Sequence, residues 1–196
     1  MGEQRMRIVS GRFRGRSLKA PAGDTTRPTT DRVREAVFSS VTSYAGADLG
    51  GGAVLDAFAG SGALGLEALS RGCAHAVFAE QDRAALATLN SNIASFGAVD
   101  DTSVIAGDVF VAAGRGSMPG APFALLLLDP PYRLDAVKVA GLVHDLAAND
   151  LLADGAMVVW EHERGAEPPW PDGFGLVKRK RYGTTEVDIA VYERGA

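Results

Sequence analysis

The sequence has one cysteine and no long apolar run, which excludes an internal disulfide and argues against a membrane-spanning helix. Cys73 stands alone, so it cannot form a disulfide within the chain. No apolar stretch reaches the roughly 20 residues of a membrane-spanning helix. The first residues carry charge with no apolar segment behind it, so we expect no secretory signal. We therefore expect a cytoplasmic protein with no membrane partner.

Histidines are scarce as well, which argues against two kinds of catalytic site. The three histidines are His75, His144 and His162. They are scattered and have no cysteine or paired carboxylate at ligand spacing, so we expect no metal site. A serine nucleophile is not expected either, because an elbow centred on Ser61 needs glycine two residues to either side and the chain has alanine at both places.

Positive charge is concentrated at the N-terminus. The formal net charge is −4, yet residues 1–34 hold nine basic and three acidic residues, which gives +6 there and −10 in the remainder. A basic arm on an acidic body predicts contact with RNA or DNA, against the simpler alternative of a solvated charged arm. The expected nucleic-acid contacts are Arg7, Arg12, Arg14, Arg16 and Lys19.

Short apolar runs alternate with helical patterns along most of the chain. The runs cover residues 53–58, 75–80, 102–106, 123–128 and 156–161. The helical patterns cover residues 31–44, 64–71, 83–96 and 134–148. This alternation predicts a mostly parallel, twisted sheet with helices on both faces, an α/β fold of the Rossmann-like type. In the tail, residues 175–181 and 186–192 predict a closing antiparallel hairpin.

The N-terminal residues predict a small appendage to this domain. Residues 5–20 alternate weakly and are interrupted by Gly11 and Gly15, which indicates a short β-hairpin. Residues 21–28 are rich in turn-forming residues and indicate a linker. We therefore divide the chain into a basic extension, residues 1–28, and one domain, residues 29–196, a size that fits a single core.

A glycine-rich turn follows the first predicted strand. Gly60, Gly62 and Gly65 fit the spacing G-x-G-x-x-G, in which glycines permit a tight turn and a close approach of a ligand to the backbone. Glu80 ends the second strand about 20 residues later, where a carboxylate accepts hydrogen bonds from ribose hydroxyls. The pair predicts a ligand that contains adenosine.

Two aspartates refine the nature of that ligand. Asp56 stands just before the glycine turn, where a carboxylate repels the pyrophosphate of a dinucleotide and suits a cationic group such as a methionyl amine. The alternative for Asp56 is a carboxylate that caps the loop. Asp108 follows the third strand and can accept a hydrogen bond from an adenine amino group, or cap the helix that follows it, or do both.

Asp129, Pro130, Pro131 and Tyr132 follow the all-leucine fourth strand. Ligands of an open parallel sheet bind at the carboxyl ends of its strands, so this tetrapeptide should lie beside the glycine turn. Prolines remove N–H donors and leave carbonyls free to accept. Asp129 and the Pro130 carbonyl would hold the hydrogens of an exocyclic amine, and Tyr132 would stack on a base that has left its helix.

These motifs, in this order, resemble the amino-methyltransferase branch of the class I methyltransferases. Further segments narrow the resemblance, namely residues 7–11, 14–16, 27–35 and 56–70. They resemble the bacterial family that methylates N2 of guanine in 16S ribosomal RNA, and the similarity spans nearly the whole chain.

The resemblance implies S-adenosylmethionine as the cofactor and 16S ribosomal RNA as the partner, either free or within a small ribosomal subunit under assembly. It implies that Arg27, Thr29 and Arg34 border the methionyl end of the cofactor. Phe58 and Val109, which stand beside the motifs above, complete the expected cofactor contacts. We expect a monomer.

Other functions remain open at this point. The same tetrapeptide serves adenine N6 and cytosine N4 in DNA, although the chain has no room for a separate target-recognition domain. Glutamine methylation in proteins usually has asparagine where this chain has Asp129. A nucleic-acid-binding module without catalysis does not need the intact tetrapeptide, and a nicotinamide oxidoreductase does not suit Asp56.

Overall fold

A computed structural model describes residues 6–20, 31–45, 49–131 and 133–195. The strands are β1 (Ala53–Asp56), β2 (His75–Glu80), β3 (Thr102–Ala106), β4 (Phe123–Leu128), β5 (Leu152–Glu163), β6 (Phe174–Tyr182) and β7 (Thr185–Tyr192). The helices are α1 (Asp31–Ala45), α2 (Ala63–Ser70), α3 (Arg83–Phe96), α4 (Val109–Gly114) and α5 (Ala136–Ala148). The Rossmann-like α/β fold predicted from the sequence is confirmed.

The strands form one sheet in the order β3-β2-β1-β4-β5-β7-β6. Neighbouring strands from β3 to β5 are parallel, and β7 is antiparallel to both β5 and β6. The chain order reverses between β1 and β4, so the carboxyl ends of these two strands flank the crevice where ligands of such sheets bind.

The sheet separates two apolar layers. One layer contains Leu66 of α2, Leu89 of α3 and Val41 of α1, and the other contains Val109 of α4 and Leu142 of α5. β4 reads Phe-Ala-Leu-Leu-Leu-Leu because its side chains enter both layers, as a central strand requires.

The predicted hairpin of the tail is confirmed as β6 and β7. Because β5 and β6 run in the same direction, residues 164–173 must return across the sheet between them, and they do so without a helix. Trp170 from this connection packs edge-on against Trp160 with ring centroids 5.3 Å apart. Phe174 stacks on both Trp170 and Tyr192. This row of rings covers the part of the sheet that helices cover elsewhere.

Residues 6–20, the N-terminal segment, pack against the domain through three buried side chains. The predicted hairpin is reduced to one antiparallel bridge between Arg7 and Ser17. Ile8, Phe13 and Leu18 are buried in the layer that contains α1, α2 and α3. The predicted boundary at residue 28 lies outside the described residues and stays a prediction.

A buried carboxylate fastens these residues to the domain. Glu67 of α2 is fully buried and accepts hydrogen bonds from the amides of Val9 (2.8 Å) and Ser10 (3.1 Å). The Arg71 Nε donates to it at 2.7 Å, and the Arg34 Nε lies 3.6 Å away. Arg34 is fully buried as well, and its Nη2 donates to the Arg7 carbonyl at 2.6 Å. Glu67 therefore joins α1, α2 and the N-terminal residues.

We predict that Glu67→Ala lowers the free energy of unfolding by about 3–5 kcal/mol, because it removes a buried carboxylate that binds two backbone amides, Arg71 and the buried Arg34 guanidinium. Urea unfolding measures the change. Asp145→Asn removes an exposed carboxylate of α5 and serves as the matched control, with a change within about 0.5 kcal/mol. Equal stability of Glu67→Ala and the parent would contradict the structural role of the buried carboxylate.

Candidate active site

Asp56 ends β1 in the middle of the sheet and is almost wholly buried. Its Oδ2 accepts a hydrogen bond from the Gly65 amide at 2.9 Å, so the capping role that the sequence left open is present. Its Oδ1 is buried and has no hydrogen-bond partner among the described residues. The pKa of the Asp56 carboxyl is raised from 3.8 to about 7, and burial is the largest cause. The hydrogen bond from the Gly65 amide and, more weakly, the Phe58 amide lower the pKa, while the nearby Asp129 and Glu80 carboxylates raise it.

The register of the sheet explains why these three carboxylates meet. Asp56 is the partner of Phe78 in β2 and of Leu127 in β4. Glu80 lies two residues after Phe78, and Asp129 lies two residues after Leu127, so both acidic side chains belong to the same edge of the sheet. Three neighbouring carboxylates at this edge favour a ligand with positive charge.

The glycine turn is held against the sheet by contacts that exclude larger residues. Gly62 has φ 83°, and a Cβ there would lie 2.5 Å from the Leu89 Cδ1. A Cβ on Gly65 would lie 2.3 Å from the Phe78 ring, so α2 packs directly on β2. Gly60 donates its amide to Glu80 Oε2 at 2.8 Å. These contacts and the positive φ of Gly62 restrict the backbone conformation of the turn, which has Gly60 and Gly62 at its centre.

Glu80 shapes the turn through its other oxygen too. Its Oε1 accepts from the amides of Gln81 and Asp82, both at 2.8 Å. Three backbone amides thus hold the carboxylate at the end of β2. The ribose contact predicted for Glu80 remains a prediction.

Asp108 and Phe58 lie near the same edge. Asp108 is exposed, and its Oδ1 accepts from the Phe110 amide at 2.8 Å, which confirms its helix-capping alternative. Val109 begins α4 and is buried. The rings of Phe58 and Phe110 are 6.3 Å apart, and the Lys138 Nζ lies 4.5 Å from the Phe110 ring centre. Phe110 therefore lies beside Phe58 at this edge of the sheet, although no sequence motif predicted a role for it.

The segment after β4 separates the roles of its two prolines. The Pro131 carbonyl accepts from the Leu134 amide at 2.8 Å, which closes a turn. Asp129 and Pro130 are half-buried and Pro131 is exposed. Tyr132 lies outside the described residues. Of the two proline carbonyls, that of Pro131 is already engaged, which favours Pro130 as the acceptor for a substrate hydrogen.

Comparison with known proteins fits this geometry. The chain matches the family described as Conserved hypothetical protein 95 over residues 6–191. It is 36% identical to ribosomal RNA small subunit methyltransferase D of Escherichia coli K12, over 100% of this chain and 93% of that protein. The chain belongs to this methyltransferase family. The family assignment made from the sequence is confirmed, and a methyltransferase of this fold implies S-adenosylmethionine as the methyl donor.

Solved structures agree with the family assignment. The Escherichia coli protein yhhF is 35% identical and superposes with a TM-score of 0.80 over 97% of this chain and 99% of that one. A hypothetical protein from Thermus thermophilus is 33% identical, with a TM-score of 0.77 over 94% of this chain and 98% of that one. The fold around the candidate site is therefore the family fold throughout.

Arg34, which the family resemblance places near the methionyl end of the cofactor, is engaged with the N-terminal residues through the Arg7 carbonyl. Its predicted cofactor contact stays a prediction. Arg27 and Thr29 lie outside the described residues. Glu67 and Asn92 are candidates that sequence reasoning missed, because the backbone amides that they bind in residues 6–20 lie more than 50 residues away along the chain.

The basic residues near the N-terminus differ in what they contact. Arg12 pairs with Asp101 at 2.7 Å. The Arg16 guanidinium donates to the carbonyls of Ser95 and Phe96 and lies over the rings of Phe13 and Phe96. The Lys19 Nζ donates to Ser91 Oγ at 2.9 Å, and Arg7 and Arg14 are exposed. Arg16 therefore holds residues 6–20 against α3, Arg12 holds them against the loop after α3, and Arg14 extends from them.

A second run of basic residues, Lys178 to Arg181, is divided between the two faces of β6. Arg179 donates to both carboxylate oxygens of the buried Asp188, at 2.6 and 2.8 Å. Arg181 pairs with the buried Glu186 at 2.6 Å. Both arginines are thus neutralised on one face of the hairpin, while the two lysines belong to the other.

Two kinds of feature are absent from the described ranges. In that part of the chain, no helix is long and apolar enough to cross a membrane. The same residues contain no cluster of three or more histidine, cysteine, aspartate or glutamate side chains arranged to hold a metal ion.

The raised pKa of Asp56 predicts a pH-dependent stability. The folded protein keeps this proton to a higher pH than the unfolded chain does, so the free energy of unfolding falls as the pH rises from about 4 to about 7, by at most about 1.4 kcal/mol per pH unit. Asparagine has no proton to lose in this range, so Asp56→Asn removes this fall in the free energy of unfolding. Urea unfolding of the unliganded protein between pH 5 and 8 should show Asp56→Asn gaining stability over the parent up to about pH 7.

The exposed Asp172→Asn is the control, with a stability change within about 0.5 kcal/mol. A difference between Asp56→Asn and the parent that does not vary with pH would show that Asp56 keeps an ordinary pKa in the folded protein.

Proposed function

We propose that the chain transfers a methyl group from S-adenosylmethionine to the exocyclic N2 amine of a guanine in small-subunit ribosomal RNA. The observation that carries this proposal is the proximity of Asp129, which Pro130 follows, to the buried Asp56 at the β1/β4 crevice. The relative from Escherichia coli is named as a ribosomal RNA small subunit methyltransferase, which favours RNA over DNA as the substrate.

The residues at the crevice fit the cofactor. Asp56 has a buried Oδ1 without a partner among the described residues, and it stands beside two other carboxylates. A ligand with an ammonium and a sulfonium suits that charge, whereas a pyrophosphate does not. When bound, S-adenosylmethionine supplies a methyl group on a positively charged sulfur.

Each side chain has a proposed role toward that cofactor. Asp56 and the Gly60–Gly62 turn would hold its methionyl part, together with Arg27, Thr29 and Arg34. Glu80 would accept from the ribose hydroxyls and Asp108 from the adenine amine. Phe58 and Val109 would contact the adenine ring.

Asp129 and Pro130 would orient the substrate amine. The lone pair of an exocyclic amine is delocalised into its base, and two acceptors on its hydrogens favour a pyramidal nitrogen with an available lone pair. The half-buried setting of both residues strengthens these hydrogen bonds relative to water. Asp129 is also an acceptor near the proton that the nitrogen loses after methylation. Pro131 and Tyr132 would line the base, with Tyr132 stacked on it.

We predict that Asp129→Ala removes most methyl transfer while S-adenosylmethionine still binds, because Asp129 is assigned to the amine. A loss of about a hundredfold or more corresponds to one orienting acceptor. The assay is methyl transfer to transcribed small-subunit ribosomal RNA, with the product base identified by mass spectrometry. Asp172→Ala is the surface control and should transfer at the parental rate.

N2-methylguanine as the product supports the proposal. A methylated adenine or cytosine in DNA, with RNA left unmodified, would replace it by the DNA alternative. Parental activity in Asp129→Ala would contradict the assignment of Asp129.

The structure changes which arginine best tests RNA contact. Arg14 is exposed, and its guanidinium has no hydrogen bond or ion pair with the other described residues, so its charge is available to a phosphate. Arg14→Ala should weaken binding of the same RNA and reduce the slope of log affinity against log salt by about one, while S-adenosylmethionine affinity stays parental.

Arg115→Ala is the matched control, because it removes an exposed arginine at the end of α4. If Arg14→Ala and Arg115→Ala have equal RNA affinities and equal slopes, the N-terminal segment does not contact the RNA through Arg14.

A further inference from the structure

Asn92 of α3 contacts two parts of the protein that are far apart in sequence. Its side chain is buried, with only 1% of its surface exposed. The Nδ2 donates to the Ser61 carbonyl at 2.9 Å and to the Lys19 carbonyl at 3.1 Å. The Oδ1 accepts from the Lys19 amide at 2.9 Å. One amide group therefore joins the glycine turn to the basic N-terminal segment.

The chemistry of these contacts is specific to asparagine. A side-chain amide has two N–H donors and one carbonyl acceptor, and here both donors and the acceptor are used. Aspartate keeps an acceptor for the Lys19 amide and loses both donors. Alanine leaves the polar groups of Lys19 and Ser61 without this partner in a buried place, which is costly.

The other hydrogen bonds and ion pairs described for the N-terminal segment go to other parts of the domain. Their partners are Arg34, Glu67, Ser70, Ser91, Ser95, Phe96 and Asp101. These residues belong to helices α1, α2 and α3 and to the loop after α3. Asn92 also bonds the carbonyl between Gly60 and Gly62, the two turn glycines at the proposed cofactor site.

We infer that Asn92 is a positioning residue that couples cofactor binding to RNA binding, an inference that rests on the proposed function. A cofactor that fixes the glycine turn fixes the Ser61 carbonyl, and through Asn92 it fixes the backbone of Lys19. RNA that holds the segment acts along the same path in the opposite direction. Coupling of this kind is reciprocal, so each ligand tightens the binding of the other by the same factor.

Calorimetry with S-adenosylhomocysteine, which cannot transfer a methyl group, measures this factor with and without transcribed small-subunit ribosomal RNA. The parent should bind S-adenosylhomocysteine about fivefold or more tightly when RNA is present. In Asn92→Ala and Asn92→Asp the ratio should fall to about one. Hydrogen exchange of the Lys19 amide should also be faster in Asn92→Ala without any ligand, because alanine removes the acceptor of that amide.

Two control variants separate coupling from general damage. Lys19→Ala removes a cation but keeps the backbone contacts with Asn92, so RNA affinity should fall while the coupling ratio stays parental. Asn149 likewise donates its side-chain amide to two backbone carbonyls, those of Ala113 and Asp145, on the other side of the sheet. Asn149→Ala should leave the coupling ratio parental.

A parental ratio of one, or a ratio that survives in Asn92→Asp, overturns the coupling while the proposed function stands. Failure of the parent to bind either S-adenosylhomocysteine or the RNA overturns the proposed function and the coupling with it. The two failures are therefore distinguishable.

Discussion

The burial of one carboxylate, Asp56, is the constraint on which the candidate site depends. A carboxylate at the centre of a parallel sheet loses its hydration, and the hydrogen bond that it accepts from the Gly65 amide compensates only part of that loss. The raised pKa expresses the remainder. A cationic ligand would supply the missing interaction, so a carboxylate whose burial is costly in the unliganded protein is also well suited to the cofactor charge.

Helix α2 connects Asp56 to the N-terminal segment. Its first turn begins at the glycines and donates the Gly65 amide to Asp56, while its second half contains Glu67 and Ser70. Glu67 and Ser70 bind backbone amides of the N-terminal segment. A helix of 8 residues thus touches the glycine turn at one end and the N-terminal segment at the other. Little displacement of either end is possible without moving both.

Periodicity and local motifs predicted most of the fold. Four consecutive leucines in β4 indicated a central strand, and the glycine spacing with Glu80 located the turn, because both signals lie within a short window. Glu67 and Asn92 gave no such signal. Each is a polar residue in a helical pattern, where an exposed position is the ordinary expectation. Both bind backbone groups of the N-terminal segment that lie 57 to 73 residues earlier in the chain, and no local pattern encodes such contacts.

Net charge alone overstated the surface available to RNA. Of the basic residues near the N-terminus, Arg12 is paired with Asp101, and Arg16 is bonded to helix-terminal carbonyls, where a cation interacts favourably with the α3 dipole. Part of the positive charge of residues 6–20 is therefore engaged in contacts that hold these residues against the domain. Within residues 6–20, the charge that remains is carried on a segment that is packed against the domain. A fixed cation loses less conformational entropy when it binds a phosphate, so a small number of docked basic residues can serve where a free arm needs more.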